Sequence, residues 1–257
     1  MIHNILLAFS FAKRDFNERY VGTGLGQFWY ILSPLVMIFI YTVIFSDFMK
    51  MKLEIVDNSY AYSIYLVPGL LAWTTFSTII MRLNGSFFEK SGLIKKINVP
   101  MYTFQLSIVL TEGFLFFISM TLALGFLIIV DHVITWVFLW MIPVMFLQIL
   151  FAFGLGVIVS LFTPFFRDLR EVVPIVMQLW FWMTPIIYMA SMIEERYPFL
   201  LKYNPFYLFV SIYQDIFLYS KPPNIEKVML MFIMTSTSLI VAGYLYKKMI
   251  SVIKDII

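Results

Sequence analysis

Six stretches of the chain are long, continuous and apolar: residues 27–48, 60–83, 102–130, 135–162, 172–190 and 226–246. A helix crosses the hydrocarbon core of a bilayer with about 20 such residues. Backbone in lipid has no water to bond, which leaves helices or closed barrels as spanning structures. A barrel alternates polar and apolar positions, with turns about every ten residues. These runs do not alternate. The pattern predicts an all-α polytopic membrane protein with six transmembrane helices in one domain, 1–257. Within it, residues 1–26 form an interfacial helix and hinge and 27–190 the first five spans. Residues 191–225 form an extracytoplasmic segment, and 226–257 the sixth span and tail.

The polar interruptions are informative as well. Near the N-terminus, Ile2, Ile5, Leu6, Phe9, Phe16 and Tyr20 share one helical face, opposite Ser10, Arg14, Asn17 and Glu18. This predicts an amphipathic helix lying at the membrane surface, either as an anchor or as a moving part. Asp15 and Arg19 have the i,i+4 spacing of a helical ion pair. SFFEKSGLIKKIN, residues 86–98, mixes apolar and charged positions between two spans. It reads as a solvated turn or as a short helix seated in a partner's groove. Residues 191–225 contain four prolines and cannot be one helix. Inside them, FYLFVSIYQDIFLY is too short to span and too apolar for a free loop. A re-entrant or interfacial helix fits it best.

Composition sharpens this picture. Hydrophobic residues make up 61% of the chain and charged ones 13%, and the mean hydropathy is +0.90. A soluble enzyme of this length cannot hide so much apolar surface. The net charge of +3 is small and the basic residues are scattered, which argues against nucleic acid as a partner. With the N-terminus inside, twelve of the eighteen Lys and Arg fall on the cytoplasmic side. The positive-inside rule therefore favours both termini in the cytoplasm. The first apolar run is followed by charges and lacks a small-residue cleavage site, so no secretory signal is expected. Zero cysteines and two distant histidines leave no thiolate or imidazole metal site.

Candidate chemistry is sparse. GTGLG, residues 22–26, follows an amphipathic helix rather than a strand, and no GxxxxGK[ST] occurs in the sequence. A hinge explains the glycines better than a phosphate loop. Any ATP and magnesium used in transport are expected in another subunit, and no cofactor on this one. Glu112 is the single acidic residue deep in an apolar run, where an unpaired charge costs at least about 2.5 kcal/mol. It reads as a substrate or proton contact or, preferably, as a structural hydrogen bond to a Ser or Thr of a neighbouring helix. Tyr30, Met37 and Tyr41 form a stripe on the first span. Trp180, Phe181, Thr184 and Tyr188 form another on the fifth. Such stripes are lipid and core surface, or the wall of a conduit over which sugar C–H faces slide. A membrane enzyme would need placed carboxylates, whereas Asp47, Asp131 and Asp215 are scattered. An ion-coupled transporter would need internal repeats and intramembrane ionisable pairs, and the sequence shows neither.

Four stretches in order resemble the permeases of polysaccharide-exporting ABC transporters. They are RYVGTGLGQFWYILSPLVMIFIYTVIFS; PGLLAWTTFSTII with GLIKKINVPMY; FFRDLREVVPIVMQLWFWMTPIIY; and KYNPFYLFVSIYQDIFL. The likeness is nearest to the O-antigen export class, with teichoic-acid and capsule exporters close behind. It implies a homodimer with two ATP-binding cassette ATPase subunits in the bacterial inner (plasma) membrane. The implied substrate is a polyprenyl-diphosphate-linked glycan. A permease for lipids or drugs within the same superclass is the alternative. The resemblance also implies roles. Phe87, Glu89, Lys90, Leu93 and Lys95 would lie on a coupling helix against the ATPase. The two aromatic stripes would line the conduit. Tyr207, Tyr213 and Phe217 would belong to gate helices before the last span. Lys13, Arg14, Arg19 and Arg170 would meet the lipid diphosphate at the entrance, or serve only as topology charges.

Overall fold

The computed structural model describes residues 2–44, 60–89, 92 and 99–256. Their regular secondary structure is all helix, without strands among the described residues. In order they form α1 (Ile2–Glu18), a short 3-10 turn (Gly26–Phe28), α2 (Trp29–Thr42), α3 (Ala61–Glu89) and α4 (Tyr102–Ile129). A second 3-10 turn (Trp136–Trp140) leads into α5 (Met141–Phe162) and then α6 (Leu169–Met183). The short α7 (Ser191–Glu194) and α8 (Pro198–Tyr203) precede α9 (Tyr207–Tyr219) and α10 (Ile225–Ile256). Among the described residues four helices are long and apolar enough to cross a membrane: Ala61–Glu89, Tyr102–Ile129, Trp136–Phe162 and Ile225–Lys254. Two further expected spans are shorter. Gly26–Thr42 is an apolar helix below that length, and the expected continuation to residue 48 lies outside the described residues.

α3 is the centre of the packing. It touches α4, α5, α6 and α9, while α10 covers α5 and α1 covers α4. Every residue from Ala61 to Trp73 is buried, as suits a helix apolar all round. Phe76 stacks on Phe206 at 4.2 Å between ring centroids and on Phe151 at 5.9 Å. These rings join α3, α5 and the approach to α9.

Close approach of α5 and α10 depends on Gly154. A Cβ there would sit 2.9 Å from the backbone carbonyl carbon of Ser238, so the helices would have to separate. Gly154→Ala is expected to destabilise the protein by about 1–3 kcal/mol through overpacking. Gly125→Ala, where a Cβ meets nothing within 4 Å, serves as the control. Thermal unfolding of both variants in detergent checks this, and equal midpoints would contradict it.

The expected fifth span breaks. A helix was anticipated over 172–190, but α6 ends at Met183 and Thr184 is extended, with φ −103° and ψ 125°. Pro185 explains the stop, since its ring disfavours helical backbone in the preceding residue. The non-helical stretch that follows is tolerated because its carbonyls are met from within the protein. The Tyr62 hydroxyl donates to the Ile187 carbonyl, and Tyr65 donates to that of Tyr188 at 3.1 Å. Gln214 Nε2 donates to Pro185 O at 3.2 Å.

The segment before the last helix is folded inward. α9 is a helix of 13 residues, roughly 20 Å long, and nine of those residues are buried. Its C-terminus is closed by Ser220 in the left-handed region, φ +47°, ahead of Pro222 and Pro223.

Candidate functional site: a buried ion network beside an uncharged groove

Glu112 sits in the middle of α4 and is 5% exposed. Its Oε1 accepts hydrogen bonds from both Arg19 Nη2 and Arg82 Nη1, the latter at 2.6 Å. Arg82 Nη2 also reaches both oxygens of Asp15, at 2.7 and 2.9 Å. Two guanidinium groups and two carboxylates thus form a neutral cluster that fastens α1, its following turn, α3 and α4 together. Burial dictates this arrangement. A carboxylate stripped of water needs full positive charge and hydrogen bonds, whereas a hydroxyl partner leaves most of the desolvation cost uncompensated.

Two expectations are corrected here. Glu112 pairs with two arginines rather than with a Ser or Thr. Asp15 pairs with Arg82 and not with Arg19, because an exposed i,i+4 pair is worth only about 0.2–0.5 kcal/mol. The exposed helical pair in α1 is Arg14–Glu18, at 2.6 Å. α1 itself turns Ala8 and Ala12 inward against α4, and Phe11 stacks on Phe104 at 4.8 Å. Ile5, Leu6 and Phe9 face outward.

Beside the network, α2, α3 and α6 enclose a groove of about 310 Å³ with no charged residue in its lining. Met37 and Tyr41 enter it from α2, Trp73 from α3, and Met177 and Phe181 from α6. The start of α6 is fixed against α3 by Asn84, which donates to Leu169 O at 3.0 Å and accepts from Thr163 Oγ1 at 2.6 Å.

The stripes predicted on the first and fifth spans are therefore divided. Met37, Tyr41 and Phe181 meet in this groove. Tyr30 is buried under α1 instead, stacked on Phe16 at 4.1 Å and donating to Phe16 O at 2.5 Å. Trp180 Nε1 donates to Asn204 Oδ1 at 2.9 Å, and Asn204 Nδ2 donates to Thr184 Oγ1 at 2.8 Å. The same Asn204 Oδ1 accepts the Phe206 and Tyr207 N–H groups at the start of α9. Asn204 thus ties the end of α6 to α9, a contact the sequence pattern did not reveal. Tyr188 donates to Trp182 O at 2.8 Å.

Of the coupling residues, Phe87 is 2% exposed and packs with Met101, Val157 and Leu161 inside the bundle. Glu89 is exposed at the end of α3. Lys90, Leu93 and Lys95 lie outside the described residues. Of the gate residues, Tyr213 and Phe217 are buried, edge-on to Phe116 and Phe138 respectively, and Tyr207 is half-buried. The basic residues do not form one patch. Lys13 is exposed on α1, Arg14 is bound to Glu18, Arg19 to Glu112, and Arg170 lies 5.4 Å from the Phe88 ring.

Residues 7–218 match the ABC-2 type transporter family. The chain belongs to that family. As an ABC-2 permease it is a transmembrane protein, in keeping with its long apolar helices. Two O-antigen export system permease proteins RfbA of Klebsiella pneumoniae are each 29% identical to this permease over 207 residues, covering 80% of its length and 78% of theirs. The O-antigen export system permease protein RfbA of Myxococcus xanthus is 27% identical over 225 residues, covering 87% of this permease and 84% of the relative. In this family the permease normally works with a separate ATP-binding subunit.

Proposed function

We propose that this permease is the membrane subunit of an ATP-driven exporter that moves a polyprenyl-diphosphate-linked polysaccharide across the bacterial inner membrane. It acts as a homodimer on two ATPase subunits, which hold the ATP and magnesium. The observation that carries this reading is the uncharged groove of Met37, Tyr41, Trp73 and Phe181. A long polymer has to move without being gripped. Flat apolar walls offer weak, repeated contacts to sugar C–H faces and no fixed charge to trap a hydroxyl. The relatives named for O-antigen export support the same substrate class. Apolar side chains exposed on α2 and α6, among them Phe39, Ile40, Ile175 and Leu179, leave a surface for a second copy, and the two grooves would then face each other across the conduit.

Single cysteines are unambiguous reporters in this cysteine-free chain. Cysteine at Tyr41 and at Phe181 is expected to react with a membrane-impermeant maleimide in an ATP-dependent manner when the permease is assembled with its ATPase. Tyr41→Ala with Phe181→Ala is expected to lower glycan export about tenfold, equivalent to ~1.4 kcal/mol on the barrier. ATP hydrolysis and dimer assembly should persist. Absence of labelling under every nucleotide condition, with unchanged export, would assign the groove to lipid.

The ATPase contact is placed at the end of α3. Glu89 is exposed there, and residues 86–98 carry the longest charged cytoplasmic connection between the expected spans. Cysteines at Glu89 and Lys90 are expected to cross-link to the ATPase. Cross-links obtained only from Arg167 and Arg170 would move the contact to the α5–α6 turn.

A further inference from the structure

We infer that a second, polar pocket in this permease is a subsite for a single sugar ring. It has a volume of about 290 Å³, opens between α2, α3 and α4, and has the Arg19–Glu112 pair in its lining. The inference rests on the glycan-export reading above and adds a place within the protomer where a saccharide is recognised by its hydroxyl groups.

Unlike the neighbouring groove, which has hydroxyls of its own but no charge, the pocket holds the Arg19–Glu112 pair. Its walls carry the hydroxyls of Ser33, Thr74, Thr78 and Ser119, and its rim the aromatic rings of Tyr20 and Trp29. Thr74 lines both spaces, so the two are adjacent. Thr74 Oγ1 donates its proton to Leu70 O at 2.8 Å, and Ser119 Oγ donates to Leu115 O at 2.9 Å. With the protons spent on their own helices, these oxygens offer lone pairs to the pocket. Glu112 adds another acceptor. Both arginines donate to its Oε1, and among the described residues no hydrogen bond reaches Oε2.

That balance decides the ligand class. The Thr74, Ser119 and Glu112 oxygens can only accept, while the spare N–H groups of Arg19 donate, and such a mixed wall suits a ligand whose hydroxyls both donate and accept. It disfavours a phosphate, which is anionic and brings mostly acceptors to face the Glu112 carboxylate. Arg19 spends one Nη2 N–H on Glu112, which balances its charge, so an anion bound to its remaining donors would face the Glu112 carboxylate with no net positive charge to gain. A neutral pyranose satisfies the wall oxygens and Oε2 with its hydroxyls, and it presents a C–H face to Trp29 or Tyr20. The pocket, about 290 Å³, is large enough for one ring.

The test uses the intact permease–ATPase complex in nanodiscs. A cysteine replacing Thr78 reports on occupancy by its rate of reaction with a small maleimide. Methyl glycosides of glucose, galactose, mannose and rhamnose are added one at a time, and inorganic phosphate serves as the anionic probe. At least one glycoside is expected to slow labelling in a saturable way, reaching about tenfold at ten times its Kd, while phosphate does not. Protection by phosphate equal to or stronger than that by the glycosides would make this an anion site and overturn the inference. So would no protection by any glycoside. Should Thr78→Cys not assemble or not react, saturation-transfer NMR of the same glycosides with the unmodified complex gives the second reading. Transfer is expected to be lost in the near-isosteric Thr74→Val, Thr78→Val double variant, and its persistence or absence from the start overturns the inference equally. Binding is read without transport. If glycosides fail here while Tyr41→Ala with Phe181→Ala still lowers export, the subsite falls and the export reading stands.

Discussion

Glu112→Ala is expected to destabilise the permease by about 3–5 kcal/mol, the usual consequence of removing one partner from a buried ion cluster. The residue is 5% exposed and its carboxylate receives two guanidinium groups. Its loss leaves Arg19, whose side chain is 28% exposed, without a counter-ion and Arg82 with Asp15 alone. Charge balance, more than side-chain volume, should govern the outcome. Glu112→Gln retains the size and an acceptor but removes the charge, and should be nearly as harmful. Adding Arg19→Gln to Glu112→Gln restores neutrality and should recover a substantial part of the loss. Size-exclusion profiles and thermal unfolding of the detergent-solubilised variants give the order. If the double variant is worse than Glu112→Gln by the full cost of a second lesion, the cluster is not held by charge balance. Because Arg19 follows α1 directly, these variants should also free α1 from α4, read as increased protease access at the residues after Glu18.

Tyr62→Phe with Tyr65→Phe is the second large effect expected, at about 1–3 kcal/mol for each carbonyl left without a donor. Both rings are buried in α3, and phenylalanine keeps the packing while deleting only the hydroxyl. What is lost is the satisfaction of the Ile187 and Tyr188 carbonyls in the broken stretch after α6. The functional consequence follows from position. The break separates Phe181, in the groove, from the short helices leading to α9. Loss of its anchors should change the ATP-dependent labelling of a cysteine at Phe181 before the protein unfolds. Unchanged labelling and an unchanged melting midpoint would show that water or rearranged backbone meets these carbonyls instead.

Much of the helical architecture was legible from periodicity. Residues 60–83, 102–130, 135–162 and 226–246 all fall in helices or at their ends, because continuous apolar sequence in lipid has few other backbone solutions. The short apolar stretch at 206–219 forms a helix of 13 residues. Its depth of burial was not legible, since an apolar helix can be covered by lipid or by protein. The same ambiguity divided the aromatic stripes. Trp180 and Phe181 are adjacent in sequence, yet one is held by Asn204 and the other faces the groove.

The sequence by itself determined that this is a helical membrane protein, where its long helices lie, and that its own chain carries no phosphate-loop motif. These follow from composition and local spacing, which act along the chain. Tertiary structure decided which charges meet. Asp15, Arg19, Arg82 and Glu112 come from separate elements, and nothing local specifies that Arg82 bridges Asp15 and Glu112 while Arg19 takes Glu112 alone. It also decided that Asn204 would join α6 to α9, and that a polar pocket would open beside an uncharged groove. The physical reason is one of range. Helix formation in lipid is driven residue by residue, whereas pairing of buried charge and satisfaction of broken backbone depend on which distant groups the packing brings within hydrogen-bond reach.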